Sequence, residues 1–223
     1  MFLETVNTTT TCLTADCPAL PGSREVFAPW VSFPYTCIAH HGDRCCHAAL
    51  AWLTGMDQAQ LQNENLYLGP RWLRARYDWG PMQHPAYWCE VVRHKKLDCG
   101  AQAAVARTVF ESRGIECLPL QLVQRYNADS AAHWYGTWQE KNCDPHWVIG
   151  EYIYHESCAV VLPDGHYKFW DPSSACWIEP ATTSGYGSVA ALKVSTPLAA
   201  ASAPRYWGPH LVPANEWMVV AGS

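Results

Sequence analysis

The chain has 223 residues, 49% hydrophobic and only 16% charged, with a formal net charge of −5. That apolar supply is enough for a sizeable core and excludes a wholly disordered chain, and the negative balance gives no electrostatic ground for nucleic-acid binding. No run of 18 apolar residues occurs, so no segment reads as a transmembrane helix.

The N-terminal stretch 1–29 is rich in Thr, Pro and Cys and has no clear period, which predicts an extended arm. Its start, "MFLETVNTTTTCLTADC", carries Glu4 and lacks both a basic and an apolar region, unlike a secretory signal. With eleven cysteines, an odd number, the expectation is reduced thiols in a cytoplasmic protein rather than a disulfide framework. Twelve Trp and eleven Tyr beside five Phe suggest an aromatic-lined cleft, since both side chains join an apolar body to a polar handle.

"CCHAALAWLTGM" (45–56) reads as a short helix stopped at Gly55. Residues 57–93 hold a further helical stretch, then Gly-Pro and Trp-rich turns. Asp98 is a good N-cap for a helix from Cys99 to Ser112, with Gly114 as its stop. Along it Ala103, Ala106, Val109 and Phe110 follow the helical period. "GIECLPLQLV" reads as a strand. Residues 126–145 show no period and predict a long loop, with Gly136 at its tip and Trp134 and Trp138 on one wall of the cleft. Two strands follow, 146–162 with a kink at Gly150 and 166–172, joined by the turn Pro163-Asp164-Gly165. Residues 181–204 read as irregular, and "NEWMVVAG" as a last strand. No linker divides the chain, so 1–223 is expected to be one domain.

Cys99 opens its helix, where unpaired N–H groups and the positive end of the dipole favour a thiolate. Asp98 opposes this, because a neighbouring carboxylate raises a thiol pKa. A partner base is therefore required, and His146, His155 and His166 are the candidates. A three-residue loop with Gly165 in the left-handed conformation sets Leu162 opposite His166, so that paired residue numbers sum to 328. His155 and Asp171 then become diagonal neighbours on one sheet face, about 7–8 Å apart and within reach of their side chains. An imidazole held by a carboxylate is the orienting pair a nucleophilic cysteine needs. His146, after Asp144-Pro145, is the rival base.

"CGAQAAVARTVFESRGI" and "HESCAVVLPDGHYKFWDP" together resemble the transglutaminase-like superfamily, whose members use a papain-like Cys-His-Asp triad. The Cys99-to-Gly114 interval of 15 and the His155-to-Asp171 interval of 16 match that family's pattern. The resemblance covers residues 95–178. It implies an α+β fold, with a nucleophile helix packed on an antiparallel sheet, and makes Cys99 the nucleophile, His155 the general base and acid, and Asp171 the orienting carboxylate. Glu156 stands where the family usually has an aromatic, and the Cys-to-His interval is lengthened by 126–145. No upstream side chain clearly matches an oxyanion donor, for which Trp88 and Gln83 are the candidates. The implied activity is acyl transfer through a thioester, forming or exchanging an amide on a small or peptidyl donor, free or carrier-bound, with an amine as acceptor. The rivals are a cysteine peptidase or amidohydrolase with the same triad, and a scaffold that only binds. None of this requires a metal or organic cofactor, and neither a membrane nor nucleic acid is expected as partner.

"CIAHHGDRCCHAAL", from Cys37 through His47, is a second constellation. Its Cys37, His40, His41, Cys45, Cys46 and His47 could hold zinc, although the spacing is no standard zinc pattern. Cys46 could itself be a papain-like nucleophile. The simpler reading is two cysteines of a helix packed against the one that begins at Cys99.

Overall fold

A computed structural model describes residues 30, 32–41, 44–61, 65–140, 147–180, 187–197 and 205–220. The arm expected over 1–29 and the rival base His146 lie outside the described residues.

Helix α1 (Arg44–Gln60) is followed by α2 (Trp72–Arg76), β1 (Asp78–Trp79), α3 (Trp88–Val91) and β2 (Lys96–Leu97). The short strands β1 and β2 pair in parallel, with Asp78 opposite Lys96 and Trp79 opposite Leu97. Then come α4 (Cys99–Ser112), β3 (Cys117–Arg125), α5 (Ala128–Glu140), β4 (Val148–Ile149), β5 (Tyr152–Val161), β6 (Tyr167–Asp171), β7 (Cys176–Ile178) and β8 (Ser188–Val194). A hairpin, β9 (Arg205–Trp207) and β10 (His210–Val212), precedes β11 (Met218–Val219). Seven strands form one antiparallel sheet in the order β11-β8-β3-β5-β6-β7, with β4 added beside β5. The architecture is α+β.

Alternation along the central strands buries both sheet faces. Cys117, Cys158, Val160 and Trp170 join α1, α3 and α4 in one apolar cluster. Their neighbours Leu118, Ala159 and Phe169 join Leu192, Trp207 and Val212 in another. The run of small residues from Gly100 to Ala106 in α4 is buried almost throughout, so the helix backbone lies close on the sheet. The Cys158 thiol reaches the Ala103 carbonyl at 3.4 Å.

Three elements differ from the sequence reading. Helix α1 continues through Gly55 to Gln60. Glycine costs a helix only about 1 kcal/mol relative to alanine, and the residues beyond it are anchored. Asp57, 1% exposed, takes a two-pronged ion pair from Arg113, 2.6 Å on each prong, and a bond from Trp72 Nε1. Residues 128–140 form α5 rather than a loop, started by Asn127, whose Oδ1 accepts from Ser130 N–H at 2.8 Å. Only Ala131 and Trp138 of this helix are buried, so its period is faint. Within the stretch 181–204, expected to be irregular, 188–194 is the strand β8 between β3 and β11. The expected kink at Gly150 is a reversal between β4 and β5, with Gly150 at φ +58°.

Candidate active site

Asp98 caps α4 by accepting the Ala101 N–H at 2.8 Å, and its carbonyl takes the Gln102 N–H. The N–H groups of Cys99 and Gly100 are the first-turn donors for which a helix has no internal acceptor. Cys99 therefore lies at the positive end of the helix dipole. Gly100 is required by close approach. A Cβ there would overlap Thr36 Oγ1, lie 2.6 Å from Thr36 Cβ and lie 3.2 Å from Glu156 Oε2.

His155 and Asp171 are brought in by the β5–β6 hairpin. Its ladder pairs Cys158 with Trp170 and Val161 with Tyr167, the register that sums to 328, and Gly165 has φ +83°. His155 Nε2 lies 3.0 Å from Asp171 Oδ1. Nδ1 is then the ring nitrogen left for Cys99, whose thiol lies close enough for each group to act on the other's titration. Asp171 is held by two further donors, Ser173 N–H at 2.9 Å and Ser174 Oγ–H at 2.6 Å.

The charges of these groups are interdependent. Burial alone would raise the Asp171 carboxyl, but the charge and hydrogen bond of His155, with those two serine donors, pull it below its ordinary value. Burial would lower His155, yet the Asp171 charge, the bond to it and the interactions with Cys99 carry the imidazole well above 6.5. Burial raises the Cys99 thiol. The hydrogen bond and charge of His155 oppose this, and Asp98 and Glu156 add to it.

These residues open on a cavity of about 500 Å³. Its apolar walls include Trp79, Tyr126, Trp134, Trp138 and Trp147. Trp138, 6% exposed, stacks on Trp79 with centroids 5.7 Å apart and planes 21° apart. Trp134 is exposed on the next turn of α5. Of the other candidates, Trp88 is packed in the core with α1 and α4, and Gln83 is exposed. Neither lines the cavity. His166, the third histidine weighed as base, is exposed and pairs with Asp164 in the β5–β6 turn.

Three cavity residues were not singled out in the sequence as functional. His84 Nε2 meets Asp98 Oδ2 at 2.7 Å, which places a second His–Asp pair on the same cavity as Cys99. The hydrogen bond that His84 donates to the Asp98 carboxylate raises the His84 pKa, with burial opposing it. Glu156 is a buried carboxylate beside the thiol. It accepts from Thr36 N–H at 2.8 Å, Thr36 Oγ–H at 3.0 Å and Tyr154 OH at 3.2 Å. Burial still keeps its pKa raised against those bonds. Thr36 belongs to the segment before α1, 120 positions from Glu156, so no local pattern links them.

In the Cys37–His47 cluster, Cys46 is fully buried in the core, the rings of His40 and His47 meet at 4.8 Å, and His41 stacks on Tyr87. Among the described residues no group of three or more His, Cys, Asp or Glu is arranged to hold a metal ion, the eight cysteines are unpaired, and no helix is long and apolar enough to cross a membrane. No family model matches the chain, and no curated protein matches it significantly.

Proposed function

We propose that the chain is a cysteine-dependent acyltransferase built on a transglutaminase-like core, with Cys99, His155 and Asp171 as its triad. One observation carries this reading: a thiol at a helix N-terminus shares a cavity with an imidazole that a buried carboxylate holds at 3.0 Å. The Cys99 thiolate attacks the donor carbonyl, and the Cys99 N–H receives the developing oxyanion. The bond from the carbonyl carbon to the leaving group breaks, and His155 gives that group a proton. The acceptor amine then loses a proton to His155 and attacks the thioester, which releases product and thiolate. Water in place of the amine gives hydrolysis. The chemistry calls for no metal or organic cofactor. The indole walls suit a flat, apolar acyl group, and an enclosing wall favours an amine over water by limiting solvent access.

Intact-mass spectrometry after incubation with small acyl thioesters tests the proposal, with hydroxylamine and water as competing acceptors. The expected result is an acyl adduct on the wild type, none on Cys99→Ala, and hydroxamate in excess of free acid. An adduct of the same mass on Cys99→Ala refutes the assignment. Free acid as the sole product assigns the chain to the hydrolases.

A further inference from the structure

We propose that the face formed by α2 and the segment leading into β2 docks an acidic carrier protein, which delivers the acyl group to Cys99. This rests on the acyl-transfer reading above. Between Arg71 and Lys96 lie six of the chain's fifteen lysines and arginines but only two of its twenty acids, in a chain of net charge −5. The parallel pairing of β1 with β2 joins the two basic runs, and Arg76 fastens them through the carbonyls of Val92 and His94. Arg71, Arg93, Lys95 and Lys96 are exposed, and among the described residues none has an ion-pair partner.

This face adjoins the cavity on two sides. Arg74 lines the cavity, and Lys96 is two positions before Asp98 on its rim. Arg71 is close enough to act on the Cys176 thiol, which touches Ser174 of the site. A single small anion engages two or three cations. Four exposed cations, Arg71, Arg93, Lys95 and Lys96, spread over two adjacent segments fit the acidic surface of a protein, and steering by such a face raises association rates about 10- to 1,000-fold at low salt. The strongly acidic remainder of the chain repels a long polyanion, which favours a compact acidic partner over nucleic acid.

The test compares one cinnamoyl group presented as its N-acetylcysteamine thioester, as its coenzyme A thioester and on the phosphopantetheine arm of a small acidic acyl carrier protein. Cys99 acylation should be at least about 10-fold faster from the carrier at 50 mM salt, and the advantage should vanish at 500 mM. The variant Arg93→Glu/Lys95→Glu should lose the carrier advantage yet react with the neutral thioester as the wild type does. Arg93→Gln/Lys95→Gln, which adds no acid, should show a partial loss. Equal rates from carrier and neutral donor overturn the proposal. So does an advantage for coenzyme A alone, or tight binding of a single-stranded RNA without any carrier effect. Calorimetric titration of Cys99→Ala with the carrier reads docking apart from chemistry. Salt-sensitive binding there, with no donor acylating the wild type, refutes the acyl-transfer reading and keeps the docking face, whereas acylation without such binding does the reverse.

Discussion

Asp171→Asn separates the charge of the carboxylate from its geometry. In the wild type, Asp171 Oδ1 receives His155 and the Ser173 N–H, while Oδ2 receives Ser174 Oγ. An asparagine can keep its oxygen on the Oδ1 side, and the Ser174 hydroxyl can turn to accept from the new amide, so the fold and the imidazole's placement should survive. What disappears is a full negative charge 3.0 Å from the ring, worth about 5 kcal/mol by Coulomb's law at an effective dielectric constant near 20. The cost of burying that charge offsets part of this, and an opposite charge at such range shifts a pKa by about 1–3 units, or about 1.4–4 kcal/mol. The imidazolium that supports the Cys99 thiolate should weaken by that amount. The expected result is a fall of about 10- to 1,000-fold in the rate of Cys99 alkylation by iodoacetamide at pH 7, recovering only as pH climbs past the ordinary thiol range. Turnover should fall at least as far. The same pair also affects stability. Asp171, lowered from 3.8, contributes fully above that value and ceases to contribute as pH falls through its depressed pKa. His155, raised from 6.5, contributes fully below that value and ceases to contribute as pH rises through its own elevated one. The stability difference between wild type and variant in urea unfolding should therefore be widest between roughly pH 4 and 7 and narrow on both sides. An alkylation rate within threefold of wild type, with an unchanged pH profile, refutes the coupling of Asp171 to the thiol.

Cys99→Ala should abolish iodoacetamide labelling at the reactive site and leave the unfolding midpoint nearly unchanged. Cys46→Ala should do the opposite, because its sulfur is buried in the core and the truncation leaves a cavity. His84→Gln keeps a polar contact with Asp98 but removes the cation that offsets its charge. Alkylation of Cys99 at pH 7 should slow about 3- to 10-fold, and an unchanged pH profile would make His84 merely structural. Trp134→Ala/Trp138→Ala should raise KM and shift product from amide toward acid, whereas no change in either would leave α5 as packing alone. Asp57→Asn strands the Arg113 guanidinium in a site where it is 4% exposed, so the variant should lose about 3–5 kcal/mol in urea unfolding without altering Cys99 alkylation of the folded protein.

What the sequence made legible depends on how far each structural cause reaches along the chain. Helix α4 carries its cap, its apolar period and its glycine stop within seventeen residues, so its bounds could be read directly. The turn Pro163-Asp164-Gly165 fixes the β5–β6 register from three residues, and that register brings His155 and Asp171 together. Helix α5 stayed hidden because only Ala131 and Trp138 face inward, too few to show a period. The course of α1 beyond Gly55 is held by Arg113, fifty-six positions away from Asp57. Trp79 and Trp88 look alike in sequence, and only packing sends Trp88 into the core and Trp79 to the cavity wall. His84 gives no local sign of its bond to Asp98, because that meeting depends on how the chain between them folds back. The basic face follows the same logic: Arg71–Arg76 and Arg93–Lys96 are two modest runs in the sequence. They become one surface because Asp78 pairs with Lys96, and that pairing also delivers Asp98 and Cys99 to the rim of the cavity. A single two-residue pairing thus places both the cations and the nucleophile, so a substitution that broke it would be expected to disturb recognition and chemistry together.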